Sequence, residues 1–482
     1  MIMKKRNWAP AYAGVTTRRN WAPAYAALTA ALLLAGCATV PEIDPASLPT
    51  TPAAFKEGDG RWTRANPAEA QVRGEWWKAF GDPVLDALVD RANTANTSIQ
   101  EAAARLAQAR AIARITDAER WPQIGVGAGA VRTDGLPNAP AGAPLTLATV
   151  GASISYEADL FGRLSRASQA AALDARAREG LLQSTRLLVQ AEVAQTYLAI
   201  RAIDAERELV RGTVKTYVDV QRLTERRFAA GDVAELDVER SRTEVASTES
   251  EAIALDRRRA ELEHALAVLV GEAASTFKLD ENGWTTALPI IPAGVPATVL
   301  TRRPDVSAAQ DSLLATQQRV GVAKAAWFPD VTLTAAGGQA SSEISDLFKW
   351  SARAWSVGAL LSLPIFDGGR REAGVQSANA EMDAALARYR ERILTAFRDV
   401  EDQLAALQTL SEQAEAQSRA VASAARTTTL SDTRYRNGFV SQLDLLDAQR
   451  SELRNRRAAL QVRSLQFQAT VGLVRALGGG WT

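Results

Sequence analysis

The sequence is poor in the residues on which most enzyme chemistry depends. Its 482 residues include one cysteine, one histidine and three methionines. The single cysteine, Cys37, excludes a disulfide framework and a cysteine-based zinc site. The single histidine excludes a histidine-rich metal centre. It leaves a Ser-His-Asp triad only around His264, inside the helical stretch Glu261-Leu262-Glu263-His264-Ala265-Leu266. There is no phosphate-cradling glycine loop and no Gly-x-Ser-x-Gly elbow. Charge of one sign is also missing: 56 basic against 55 acidic residues give a net +1, which argues against nucleic acid as a partner. Long apolar runs are scarce. The run from Ala22 to Ala35 falls short of the ~20 residues a membrane-spanning helix needs.

That short run has a different use. Lys4, Lys5 and Arg6 precede it, in the charge-then-apolar order of a secretory signal. It ends Leu34-Ala35-Gly36-Cys37, which resembles the lipobox of bacterial lipoproteins. The resemblance implies a signal peptide over 1–36 and a covalent lipid on Cys37. No cofactor and no metal is expected. Residues 37–75 are rich in Pro, Thr and Ala without a sustained period, and read as an extended segment.

The rest of the chain repeats itself at an offset of 207 residues. Trp121-Pro122-Gln123-Ile124 parallels Phe328-Pro329-Asp330-Val331, and Phe161-Gly162-Arg163 parallels Gly368-Gly369-Arg370. Arg227-Phe228-Ala229-Ala230-Gly231 parallels Arg434-Tyr435-Arg436-Asn437-Gly438, and Val233, Leu236 and Asp237 parallel Val440, Leu443 and Asp444. One offset held without a gap marks two copies of one unit, 76–288 and 289–482. Each copy reads as a helix of about 30 residues, two strands, a very long helix, a tight turn and a further helix.

The strands alternate. Val150, Ala152, Ile154, Tyr156, Ala158 and Leu160 share one face, with Gly, Ser and acidic residues on the other. Trp355, Val357, Ala359, Leu361, Leu363 and Ile365 do the same in the second copy. A half-buried soluble sheet has this period too. The lipobox favours a lipid-facing reading, as do Trp121 and Trp327 at matching strand entrances, where an interfacial aromatic girdle belongs. From Arg163 to Ala230, and from Arg370 to Asn437, no proline occurs over 68 residues. A helix of that length spans ~100 Å, which no compact domain accommodates. Four strands cannot close a membrane barrel, since barrels begin at ~8 strands, and open edges are not tolerated in lipid. Two or three copies must therefore share one barrel.

Several segments now resemble one family, the outer membrane factors of tripartite efflux pumps (TolC/OprM-like), in its lipoprotein branch serving resistance–nodulation–division transporters. They are Trp76-Trp77 with Phe80-Gly81-Asp82-Pro83, Gly294-Val295-Pro296, Arg302-Arg303-Pro304-Asp305-Val306, Trp327-Phe328-Pro329, Phe366-Asp367-Gly368-Gly369-Arg370, and Tyr435-Arg436-Asn437-Gly438 leading to Leu443-Asp444. Gln310 departs from the acidic residue the resemblance leads one to expect. The resemblance implies an α+β membrane protein. It implies a homotrimer whose 12-stranded outer-membrane β-barrel, four strands per chain, is continuous with a long periplasmic α-helical barrel. It implies no enzyme activity, but passive conduction of drugs or other small molecules to the exterior. The implied partners are the lipid bilayer, a periplasmic membrane fusion (adaptor) protein and an inner-membrane resistance–nodulation–division transporter.

A passive conduit needs a closable end, expected where the long helices turn, at Gly231-Asp232-Val233 and Gly438-Phe439-Val440. Asp444 and Asp447, spaced i,i+3, project from one helical face. By resemblance they match the acidic ring of the family's periplasmic entrance, and Tyr435 and Asp237 match a hydrogen-bonded latch that keeps it shut. Gly231, Val233, Gly438 and Val440 are the expected docking points for the adaptor's helical hairpin. A coiled-coil envelope lipoprotein with a structural or adhesive role is the alternative. It has no need of paired strands or of a 207-residue repeat. A carboxylate-only hydrolase is the third reading, and long helical rods offer it no sugar-binding cleft.

Overall fold

A computed structural model describes residues 41–57, 74–133, 145–281, 283–289 and 302–479. The signal peptide, Cys37 and the Gly294-Val295-Pro296 segment lie outside the described residues, as does much of the extended segment.

Helices α1 (Pro83–Ala95) and α2 (Thr97–Ala118) lead to strands β1 (Gln123–Thr133) and β2 (Leu145–Ala158). Helix α3 (Arg163–Ala229) then turns into α4 (Glu235–Leu269). The order recurs as α5 (Pro304–Ala325), β3 (Asp330–Ser341), β4 (Arg353–Ser362), α6 (Arg370–Arg436) and α7 (Gln442–Ala476). Both bounds of α5, α6 and α7 lie 207 residues after those of α2, α3 and α4. The chain divides into two compact units: a sheet unit around residues 120–166 and 320–375, and a helical unit built from the rest. Each unit draws on both copies of the repeat.

In the sheet unit the four strands run in sequence order and are antiparallel throughout. Register aligns the alternation across all four. Ile124, Ile154, Ala335 and Val357 form one cross-strand row; Val126, Ala152, Gly337 and Trp355 form the next; Tyr156, Leu333 and Ala359 share the same face. On the opposite face the rows read Gly125, Ser153, Ala336, Ser356 and Gly127, Gly151, Gly338, Ala354. One face is therefore apolar over these rows, with Gln339 and Arg353 entering it beside Ala128 and Val150, and the other is mainly small and polar. Among the described residues nothing covers the middle of the apolar face: Val126 is 85% exposed and Trp355 79%.

The strands end earlier than alternation predicts. Leu160, Leu363 and Ile365 fall outside them. Asp159 turns away to cap α3, accepting from Leu164 N at 3.0 Å and Ser165 N at 2.8 Å. Pro364 has no N–H to extend the ladder beyond β4. Gly368 and Gly369, at φ of 64° and 88°, then carry the chain into α6. The expected 30-residue leading helix is likewise broken in the first copy. Asn96 adopts an extended conformation and caps α2 through Ser98 N and Ile99 N. Its Nδ2 donates to the Leu269 carbonyl at 2.8 Å, so tertiary contact holds the break.

The helical unit has its main core around Trp76, Trp77, Phe80, Leu85, Leu88, Tyr197 and Phe467. The Phe80-Gly81-Asp82-Pro83 motif builds it. Asp82 caps α1 and accepts from the Tyr197 hydroxyl at 2.7 Å and the Thr286 hydroxyl at 3.0 Å. The Arg-Arg-Pro-Asp motif is a second clamp. Buried Arg303 forks onto both Asp305 oxygens at 3.0 and 2.8 Å, reaches Asp399 at 3.0 Å, and donates to the Ala476 carbonyl. Arg303→Met strands the partly buried Asp305 carboxylate and leaves Asp399 with only the exposed Arg398. It is expected to cost about 3 kcal/mol of stability in denaturant unfolding. Arg303→Lys, which cannot fork, is expected to recover only part.

Candidate functional site

The two helix turns are built alike. At the α3–α4 turn Gly231 N–H donates to the Phe228 carbonyl and Asp232 N–H to the Arg227 carbonyl; at the α6–α7 turn Gly438 donates to Tyr435 and Phe439 to Arg434. Both are left-handed helix terminations, with φ of 81° at Gly231 and 77° at Gly438, a region that suits glycine. Gly231 and Gly438 thus occupy the tight turns expected of them.

Just inside the turns, four helix ends are joined by four buried polar side chains, one from each helix. Thr224 lies on α3, Ser241 on α4, Tyr435 on α6 and Gln442 on α7, and none is more than 4% exposed. Gln442 Nε2 donates to Thr224 Oγ1 at 3.1 Å and to Ser241 Oγ. The Tyr435 hydroxyl lies 3.4 Å from Thr224 Oγ1. The Tyr435 ring packs against Val220 and Leu445, with the Arg227 guanidinium 5.2 Å from its centre. Gln442 Oε1 is buried without a partner. Ionic contacts continue away from the turn. Arg450 on α7 pairs with buried Glu244 on α4, and Arg457 reaches Glu206 on α3 at 2.7 Å and Glu251 on α4 at 2.8 Å.

The sequence-predicted residues fall around this knot. Tyr435 is central to it, but its phenol faces Thr224. Asp237 is instead 3.6 Å from Arg240 on its own helix. The Tyr435–Asp237 bond is therefore not made within the chain. Asp444 and Asp447 are both exposed, on one face of α7. Asp444 also secures the start of its helix. With Ser441 it forms a capping box, taking the Ser441 N–H at 3.0 Å while Ser441 Oγ faces the Asp444 N–H. The Ser441 side chain and backbone hold the Asp444 carboxyl below the usual aspartate range. Ala234, at the matching position in the first copy, cannot cap in this way. Val233 and Val440 are half-buried, and Val440 packs onto the Tyr435 cluster. The exposed large apolar groups at the turns are Phe228, Leu236, Phe439 and Leu443.

Sequence reasoning missed Thr224, Ser241, Gln442 and the Ser441 cap. Ser441-x-x-Asp444 ahead of an apolar-periodic run is a legible capping signal. The other three are ordinary helix residues with no local signature. Among the described residues no cluster of three metal-ligating side chains occurs.

The family model for "Outer membrane efflux protein" matches residues 88–272 and again 295–479, the two copies of the repeat. The chain is 35% identical to the solvent efflux pump outer membrane protein SrpC of Pseudomonas putida, over 94% of this chain and 97% of that one. It is 30% identical to the cation efflux system protein CusC of Escherichia coli O6:H1, over the same shares of the two chains. Its fold superposes on the solved outer-membrane channel OprN with a TM-score of 0.84 at 29% identity, covering 92% of this chain and 100% of that one.

Proposed function

The chain belongs to the outer membrane efflux protein family, and from that premise we propose that three copies close one barrel whose periplasmic entrance is gated at the paired helix turns. The protein itself is an outer-membrane exit duct of a tripartite efflux pump, and its family is one of channels. The observation that carries the trimer is the sheet. Its apolar face is uncovered, and β1 and β4 each have one edge without a strand partner among the described residues. In hydrocarbon such edges are closed by neighbouring strands. Two copies would give eight strands and three would give twelve; the family resemblance favours twelve.

At the entrance, the Thr224–Gln442–Ser241 knot and Tyr435 hold both helical hairpins of a chain together in the closed state. Asp444 and Asp447, repeated in each copy, form the acidic ring, which attracts cations. Asp237 adds a carboxylate beside it. Phe439, Leu236 and Leu443, with the Val233 and Val440 turns, offer the adaptor's helical hairpin an apolar contact. The inner-membrane partner fits the resistance–nodulation–division class, and a lipid on Cys37 anchors the chain as the Leu34-Ala35-Gly36-Cys37 sequence implies.

The test is conductance in planar bilayers. A trivalent cation added on the entrance side is expected to block the wild-type channel. Asp444→Asn with Asp447→Asn is expected to weaken that block about tenfold or more, as for lost charge-assisted contacts. Because the Asp444 pKa is depressed, its charge persists through mildly acidic pH and is lost only as pH falls through that lowered value. Block should therefore survive at pH 5 and fade below the ordinary carboxylate range. Equal block in wild type and double variant rejects the acidic ring.

A further inference from the structure

A cavity of about 750 Å³ opens in the helical unit between α3, α6 and α7, along residues 205–217 and 449–463. It is separate from the turn knot, and its volume lies within the range of small-molecule sites. Part of its wall is apolar, from Leu209, Val421, Leu453 and Leu460, and the rest is polar. Two buried polar groups on its wall have no hydrogen-bond partner: the hydroxyl of Tyr217, 2% exposed, and Oε1 of Gln449, 8% exposed. Burying such groups unpaired is costly, so their presence on a cavity wall is a feature to be accounted for.

The charges on the wall decide the ligand. Arg456 is occupied by Glu452 four residues before it. Arg463 lies over the Trp284 ring at 4.2 Å and is directed to the Trp284 and Thr286 carbonyls. The Thr213, Thr216 and Thr428 hydroxyls donate back to carbonyls of their own helices. Glu208 is left as the wall's one carboxylate without an ion pair among the described residues. The unspent groups are therefore a carboxylate, an amide oxygen that accepts, and a phenol that accepts or donates.

We propose that this cavity is a binding site for an amphipathic organic cation bearing N–H donors. The cationic end lies against Glu208, an N–H donates to Gln449 Oε1, the Tyr217 hydroxyl completes the polar edge, and the apolar body fills the leucine-lined wall. The site lies on the wall of the helical unit. None of the four knot residues lines it.

The experiment uses the full chain purified in detergent, with ethidium as the probe, a planar monocation carrying amino groups. Fluorescence anisotropy is expected to show saturable binding. Glu208→Gln is expected to weaken it about tenfold, the scale of one charge-assisted contact. Glu208 is exposed, so this variant should fold normally. Gln449→Leu with Tyr217→Phe, which fills the same space without polar atoms, is expected to weaken binding further while leaving the unfolding temperature unchanged or raised. Fluorescein, a planar anion of similar size, is expected not to saturate. Non-saturable ethidium uptake, equal affinity in wild type and Glu208→Gln, or equal binding of fluorescein would each overturn the proposal.

Discussion

Gln442→Glu is expected to raise the resting conductance of the reconstituted channel about tenfold or more at neutral pH. The side chain keeps its size but exchanges the amide donor of two hydrogen bonds for a carboxylate, and Gln442→Leu, which loses the same donor without adding charge, separates the two effects. Gln442 lies 4% exposed among Thr224, Ser241 and Tyr435, none of which is a cation. An unpaired carboxylate in such a place costs several kcal/mol. Moving a two-state equilibrium from 1:99 to 99:1 takes about 5.5 kcal/mol, so the penalty is large enough to open the turns. The pH dependence is the signature. Burial raises the introduced carboxyl's pKa in the closed state above its value in the open one. The closed state is then fully stable below the open-state pKa and loses stability as pH rises toward the closed-state value. The excess leak should therefore shrink as pH is lowered from 7.5 toward 5. Gln442→Leu removes two hydrogen bonds but also an unpaired oxygen, and is expected to change conductance little. Asp237→Ala, whose carboxylate pairs with Arg240 of its own helix, is expected to do less than Gln442→Glu. A folded Gln442→Glu protein with wild-type conductance at pH 7.5 would remove the knot from the gate.

The second large effect lies in the sheet. Gly338→Val is expected to abolish assembled protein in the outer membrane, whereas Gly127→Val leaves it. Gly127, Gly151 and Gly338 occupy one cross-strand row on the small-residue face. A Cβ at Gly338 would sit 2.2 Å from the Val150 carbonyl oxygen and 2.5 Å from Gly151 Cα. Those are backbone atoms of the paired strand and cannot swing aside, so the ladder itself must part. A Cβ at Gly127 meets nothing within 4 Å. The contrast therefore isolates backbone approach from the general cost of adding bulk to a strand. The readout is the yield of oligomer in outer-membrane fractions. Equal yields from the two variants would mean that the β2–β3 pairing tolerates what its geometry forbids.

Much of this architecture is legible in the sequence because it rests on long-range regularities. The 207-residue offset locates every repeated helix, since insertion-free duplication carries helix bounds with it. Proline-free stretches give α3 and α6, and glycine gives the left-handed turns at Gly231 and Gly438. Alternation names the apolar sheet face correctly, because register preserves it across all four strands.

What the sequence hides is what depends on single contacts. Alternation carries past the real strand ends, since nothing in a period-two pattern says that Asp159 turns back to cap a helix. The Asn96 break depends on a carbonyl 173 residues away. The gate is the least legible part. Within the chain, folding brings Tyr435 against Thr224, and Gln442 against Thr224 and Ser241, across separations of 201 to 218 residues. Threonine, serine and glutamine in exposed-looking helices carry no period that marks them as buried.

The central claim is that one chain supplies only part of a closed barrel. The most direct test is the mass of the detergent-extracted protein, by light scattering with the detergent contribution subtracted. A particle of about three chain masses is predicted, stable only in detergent or lipid. A monomer that stays soluble without detergent would contradict the account, because a sheet with an uncovered apolar face and two open edges would then be complete in itself.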